Sequence, residues 1–169
     1  MKKNKIGILI FAFALLVSKN VYAQNDSYYE NSNGVIVTEK EYQFINDFYG
    51  HNCGDKVIKH IANVISRGIN DKDYAFRSAG DEFLVLALCD YEGSLKIAER
   101  IRRSVENQII EYNNTKIKVT VSVGVIEYKE NILLDDLFFK AKELLNDAKD
   151  DGKNIVKGKS PEVESLNNK

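Results

Sequence analysis

The sequence has little of the residue types that build specialised scaffolds. Its 169 residues include one proline, two cysteines, ten glycines and no tryptophan. This composition excludes a collagen-like chain, which needs glycine at every third position, and a small scaffold held together by disulfides. A net charge of -1 argues against a protein that binds a nucleic-acid backbone, and 44% hydrophobic residues argue against a disordered chain. The length suits one globular domain.

Positive charge is concentrated at the start of the chain. Residues 1–23 contain four lysines and no acid, and an apolar run extends from Ile6 to Val17. A basic start, an apolar run and a small residue at Ala23 form the layout of a secretory signal peptide cleaved after Ala23. The run is shorter than the roughly 20 residues of a membrane-spanning helix. The alternative is an uncleaved membrane anchor that extends through Ala23. The sequence therefore predicts an exported or membrane-anchored protein.

Beyond this segment, the sequence predicts a polar linker over residues 24–33, a domain over 34–157 and a polar tail over 158–169. Hydrophobic periodicity predicts the elements of the domain. A turn at Gly80 joins two of them as a β-hairpin, because glycine tolerates positive φ. Hairpin and crossover connections together indicate an α+β fold, with a mainly antiparallel central sheet flanked by helices. In chain order, the predicted elements are a strand at 35–37, helices at 39–48 and 55–68, strands at 74–77 and 83–88, a helix capped by Ser94 at 94–109, a strand with one polar face at 117–125, a helix at 137–148 and a short strand at 155–156.

The two cysteines leave two alternatives. An exported protein could oxidise Cys53 and Cys89 to a disulfide. Cys89 also ends an apolar strand, which suits a small core residue, whereas Cys53 follows Gly50 in what reads as a glycine-bearing loop. The sequence leaves both states open.

Three short segments together resemble one family. Residues 45–55 read INDFYGHNCGD, residues 77–83 read RSAGDEF, and residues 148–154 read AKDDGKN, with TVSVG at 120–124 between the last two. Their order and spacing resemble the GGDEF domain of diguanylate cyclases, over roughly Val35 to Val156. The resemblance implies a fold like that of nucleotidyl cyclases and the polymerase palm, and an activity that joins two GTP molecules into cyclic di-GMP.

The resemblance also implies roles for six residues. Asp81 would bind Mg²⁺ and act as the base, with Glu82 in support, since a hard cation prefers carboxylate oxygens. Asn46 and Asp55 would recognise guanine, and Lys149 and Lys153 would contact phosphates. Each subunit of the family carries one GTP, so catalysis would require a homodimer.

Taken one at a time, these residues have simpler interpretations. An Asp-Glu pair at a turn is usually a solvated hairpin tip. Asp55 after Gly54 could cap a helix, and lysines are common near the C-terminal end of helices. His51 and His60 are interpreted as structural residues. Only the combination of motifs favours a site.

The sequence departs from the family at several positions. Counting back from Ile45, the metal-binding aspartate of the first strand falls on Thr38 and a second aspartate on Lys40. Gln43 replaces a lysine, and Ala79 replaces the first glycine of the signature. At the family's inhibitory product site, Asn70 stands at the arginine position and Asp73 at the aspartate position.

These departures predict weak or lost cyclase activity. The alternatives are a catalytically inactive module that binds guanine nucleotides or proteins, and an unstable fragment. Residues 24–33 also lack the helix that precedes the family's first strand, so one face of the sheet is expected to lack cover. Export would separate the domain from cytoplasmic GTP.

Overall fold

The computed structural model describes residues 9–16, 41–128 and 133–159. Five strands form one sheet in the order β2-β3-β1-β6-β7, and β4 and β5 form a separate hairpin. All neighbours in the large sheet are antiparallel except β6 and β7. The predicted α+β fold with a mainly antiparallel sheet is confirmed. In chain order, the elements are β1 Leu9–Leu16, α1 Glu41–Tyr49, α2 His51–Gly68, β2 Tyr74–Ala79, β3 Glu82–Ala87, α3 Tyr91–Glu106, β4 Ile110–Tyr112, β5 Thr115–Ile117, β6 Thr120–Glu127, α4 Leu134–Asp150 and β7 Val156–Lys159.

The central strand comes from the N-terminal apolar run. β1 pairs antiparallel with β3 on one side and with β6 on the other. A continuous apolar run suits this place, because β1 is the middle strand of five and helices lie on both faces of the sheet. The strand predicted at 35–37 and the residues Thr38 and Lys40 lie outside the described part of the chain. A chain cleaved after Ala23 would lack β1.

Both faces of β6 are buried, which corrects the prediction of a polar face. Val121, Val123 and Val125 belong to the core that α2 and α3 cover, whereas Ile126 packs with residues of α4. At Gly124 an added Cβ would lie 2.3 Å from the carbonyl oxygen of Ala141. The absence of a side chain therefore allows α4 to approach the strand closely.

Several helix and strand boundaries differ from the prediction because they depend on contacts that the hydrophobic periodicity of the sequence does not reveal. Asp90, not Ser94, caps α3, and its Oδ1 accepts a hydrogen bond from the Gly93 N–H at 2.8 Å. Ser94 is buried inside the helix and donates to the carbonyl oxygen of Asp90 at 3.0 Å. α3 ends at Glu106 instead of 109 because Ile110 begins β4, and the strand predicted at 117–125 is divided into β5 and β6.

The two cysteines are free. Cys53 lies buried in α2 rather than in a loop, because the helix begins at His51. Burial raises the pKa of its thiol.

Part of the α4 face of the sheet is exposed. Tyr74 and Phe76 on the edge strand β2 are 60% and 49% exposed, and their rings stack with centroids 6.5 Å apart. Their register partners Leu86 and Leu84 pack against the α4 cluster, so all four residues share that face. Among the described helices, none has the length and apolar character needed to cross a membrane.

Candidate functional site

The turn between β2 and β3 carries the two predicted catalytic acids. Gly80 has φ of 50°, the left-handed conformation that was predicted for this hairpin. The Arg77 guanidinium donates two hydrogen bonds to the Gly80 carbonyl oxygen, at 2.8 and 2.6 Å. These two hydrogen bonds stabilise the turn from which Asp81 and Glu82 project.

Asp81 lies in the electrostatic environment of Lys149. Burial raises the pKa of the Asp81 carboxyl, while a hydrogen bond from its own main chain and the charge of Lys149 act in the opposite direction. Lys149 occupies the last turn of α4. Packing of α4 on the sheet therefore brings together a carboxylate and a lysine that are far apart in the sequence.

Glu82 pairs with a second lysine of α4. The ammonium of Lys142 lies 3.2 Å from Glu82 Oε2. Lys142 precedes Lys149 by two helical turns, so both residues lie on the same side of α4. The sequence interpretation did not include Lys142, although its spacing from Lys149 is the signal that could have identified it.

Among the described residues, the hairpin presents two neighbouring acids, Asp81 and Glu82. The row of the sheet that contains Glu82 consists of Ala79, Glu82, Ala14 and Ser122, so neither neighbouring strand supplies a second carboxylate. Within the described ranges, no three His, Cys, Asp or Glu side chains are grouped so that they could hold a metal ion. Magnesium usually needs several oxygen ligands in near-octahedral geometry. The described residues alone therefore do not make a closed, all-protein Mg²⁺ site, and Mg²⁺ bound here would also need oxygens from a nucleotide or from water.

The predicted guanine-binding residues lie at the junction of α1 and α2. Gly50, with φ of 84°, separates the two helices. Asn46 Oδ1 is buried and accepts no hydrogen bond from the described residues. A Cβ on Gly54 would lie 2.0 Å from that oxygen, so Gly54 provides the space that Asn46 occupies. The sequence interpretation missed this role of Gly54.

Asp55 is exposed, on the fifth residue of α2. The alternative that Asp55 caps this helix is wrong, because Gly50 occupies the cap position and no side chain caps the helix there. α1 lies next to β1, and β1 pairs with β3, so the helix junction and the acidic hairpin flank the same central strand.

A network of side chains fixes the turn that contains Lys153. Gly152, Lys153 and Asn154 all have positive φ. The main-chain N–H of Asn154 donates to Ser122 Oγ at 3.1 Å, and Arg102 donates to Asn154 Oδ1 at 2.8 Å. The Arg102 side chain is only 12% exposed, and none of the sequence motifs includes it.

The positions of the family's inhibitory product site serve the local fold. Both oxygens of the buried Asp73 carboxylate are occupied: Oδ2 accepts from the N–H and the amide of Asn70, and Oδ1 from the N–H of Leu88 at 2.9 Å. These bonds join the loop after α2 to the end of β3. Asp73 therefore has a structural role.

Comparisons with known proteins identify the family of the chain. The family model described as the GGDEF domain of diguanylate cyclase matches residues 19–155. The chain therefore belongs to the GGDEF family, as its motifs predicted. The matched range begins after β1.

Two relatives are named as a diguanylate cyclase and a probable diguanylate cyclase. Diguanylate cyclase A of Treponema denticola is 33% identical over 148 residues, which are 85% of this chain and 40% of that protein. The probable diguanylate cyclase DgcT of Escherichia coli is 36% identical over 126 residues, or 72% of this chain and 28% of that protein. The chain thus spans less than half the length of these relatives.

Solved structures share the fold. The GGDEF domain of DgcB from Caulobacter crescentus, solved in complex with c-di-GMP, gives a TM-score of 0.72 at 22% identity, covering 90% of this chain and 78% of that one. Diguanylate cyclase SiaD of Pseudomonas aeruginosa, in complex with its activator SiaC, gives a TM-score of 0.74 at 21% identity, covering 94% of this chain and 52% of that one.

Proposed function

We propose that this GGDEF domain binds a guanine nucleotide and has weak or no diguanylate cyclase activity. The electrostatic interaction between Asp81 on the hairpin and Lys149 on α4 is the observation that carries the proposal. Asn46 and Asp55 would bind the base, because an amide and a carboxylate match the donors and acceptors on guanine. Lys149 and Lys153 would hold the phosphates as point charges.

The chemistry expected of these residues is limited. Forming a phosphodiester requires removing the proton from a 3′-hydroxyl and stabilising the charge on the phosphates. Asp81 could accept that proton, and its raised pKa makes it a better base than an ordinary aspartate. The described residues offer lysines for the phosphates, but one of the two acids, Glu82, is already paired with Lys142, which weakens its attraction for the Mg²⁺ that the family resemblance implies. Binding is therefore better supported than turnover, and any turnover would need two copies, each with one nucleotide.

Calorimetric titration of GTP into the full chain tests binding. We expect saturable binding that Lys149→Met weakens by at least about tenfold, as the loss of a charge-assisted phosphate contact would do. Lys140→Met, an exposed lysine on the same helix, is the matched control. Absence of binding to the folded protein would refute the proposal.

A product assay tests turnover. Incubation with Mg²⁺ and GTP should yield little or no cyclic di-GMP. Robust synthesis that Asp81→Ala abolishes would contradict the proposed weak activity.

Protein interaction is a second candidate function. The exposed, stacked Tyr74 and Phe76 favour it, because paired aromatic rings on an edge strand are typical of contact surfaces. If the folded protein binds no nucleotide, this function is the better-supported one. Light scattering of Tyr74→Ser/Phe76→Ser against wild type would then reveal whether these rings mediate self-association.

Export and membrane insertion of the N-terminal segment are both incompatible with its place in the sheet. Export with cleavage after Ala23 removes β1, and insertion in a membrane takes the same residues out of the sheet. We propose that the chain that binds nucleotide is the uncleaved one, with residues 9–16 in the sheet.

A further inference from the structure

We infer that Lys142 takes the place of a divalent cation beside Glu82, so that nucleotide binding does not require Mg²⁺. This inference deepens the proposed function and rests on it where nucleotide binding is concerned. It begins from the ion pair between Lys142 and Glu82 at 3.2 Å, in which the Lys142 side chain is 59% exposed and the Glu82 side chain 26%.

The surroundings of Glu82 explain why a single positive charge is enough to neutralise its carboxylate. Across the sheet, its register neighbours are Ala79 on β2 and Ala14 on β1, and Ser122 follows on β6. None of these three residues carries a charge. Among the residues that the sheet register and the hairpin place next to Glu82 in the described part of the chain, Asp81 is the one acid, and the charge of Lys149 acts on it.

The two lysines balance the two acids before any ligand enters. Lys142 and Lys149 lie two turns apart on α4 and are supplied by the same rigid element. A divalent cation at Glu82 would have to displace the Lys142 ammonium or accept repulsion from it at close range. The pairing therefore disfavours metal and leaves both ammonium groups beside the hairpin, where an incoming phosphate would meet positive charge.

Metal binding to the protein alone tests the inference without nucleotide. Mn²⁺, detected by electron paramagnetic resonance, is the probe for the full chain. Wild type should bind Mn²⁺ only weakly, and Lys142→Met should bind it at least about tenfold more tightly because the neighbouring positive charge is gone. Lys142→Arg keeps the charge and should behave as wild type, as should the control Lys140→Met. Tight Mn²⁺ binding by wild type that Glu82→Gln abolishes, or equal binding by Lys142→Met and Lys140→Met, would overturn the inference.

A nucleotide titration in EDTA and in Mg²⁺ gives the second readout. The wild-type affinity for a non-hydrolysable GTP analogue should differ by less than about threefold between the two buffers, whereas Lys142→Met should lose about tenfold in EDTA and regain it in Mg²⁺. A wild-type affinity that depends strongly on Mg²⁺ would overturn the inference. If no nucleotide binds in either buffer but the Mn²⁺ results hold, the proposed function fails and the substitution of the cation by Lys142 stands.

Discussion

Asn154 Nδ2 donates a hydrogen bond to Glu106 Oε1 at 2.7 Å, linking the turn after α4 to the last turn of α3. Arg102 completes the contact by pairing with Glu106 at 3.0 Å while it also binds Asn154. The conformation of the turn that carries Lys153 is therefore set by residues of another helix.

Replacing Arg102 should disrupt this network of hydrogen bonds. Arg102→Met leaves Glu106 and Asn154 without their shared donor, and we expect a loss of about 2 kcal/mol in the free energy of unfolding. Nucleotide affinity should fall as well, because the turn holding Lys153 is released. Urea denaturation and calorimetry measure the two effects. Arg103→Met is the control: its side chain is 68% exposed, so it should cost less than about 0.5 kcal/mol. Equal effects of the two substitutions would show that the network contributes nothing.

Gly54→Ala should damage the base-binding end of the site. The new methyl group would press on Asn46 Oδ1, which lies 2.0 Å from the Cβ position, and should displace that side chain. We expect stability to fall by about 1–3 kcal/mol and nucleotide affinity to fall by about tenfold. Ser66→Ala, an exposed change in the same helix, is the control. If the effect acts through Asn46, Asn46→Ala should cause little further loss of affinity in the Gly54→Ala background; a fully additive loss would contradict this route.

Deleting residues 1–23 should prevent stable folding. The deletion removes the strand that hydrogen-bonds to both β3 and β6, and the net stability of a domain is only about 5–15 kcal/mol. Thermal unfolding followed by circular dichroism should show a cooperative transition for the full chain and none for residues 24–169. A chain that begins at residue 8 keeps β1 and should unfold like the full chain. Cooperative unfolding of residues 24–169 at an unchanged Tm would disprove the central place of β1.

The stability contributed by Glu99 should depend on pH. Hydrogen bonds and charge from Arg102 are the main cause that lowers the pKa of Glu99 to about 2. Burial acts in the opposite direction, and Arg103 lowers the pKa further. Because the folded-state pKa is depressed, the stabilisation is present above the ordinary pKa of 4.5 and is lost as pH falls from there toward about 2.

Glu99→Gln should therefore be less stable than wild type at pH 7, by about 1 kcal/mol or less because the side chain is partly exposed. The difference should shrink across that acidic window. Glu143→Gln, an exposed acid on α4, serves as the control. A difference between wild type and Glu99→Gln that is the same at pH 7 and pH 3 would contradict the assignment.

The sequence predicted the elements whose signal is local. The apolar spacing of α2 and α4 is a property of neighbouring turns, and Gly80 marks the hairpin because few other residues adopt positive φ. The family followed from motifs for the same reason, since each is contiguous in the chain.

The position of β1 could not be predicted in this way. An apolar run before Val17 suits an export signal and a buried central strand equally well, because neither has a polar face. Only its pairing with β3 and β6 distinguishes the strand. The buried second face of β6 likewise depends on the approach of α4 to Gly124.

The amino-acid sequence alone determined the helices, the acidic hairpin, the family and most of the candidate binding residues, because these follow from spacing within short segments. The tertiary structure decided which segment fills the centre of the sheet, that the charge of Lys149 acts on Asp81 while Lys142 pairs with Glu82, and that Arg102 supports the turn at Lys153. These relationships join residues from distant parts of the chain, and no local pattern specifies a contact that exists only after the helices have packed on the sheet.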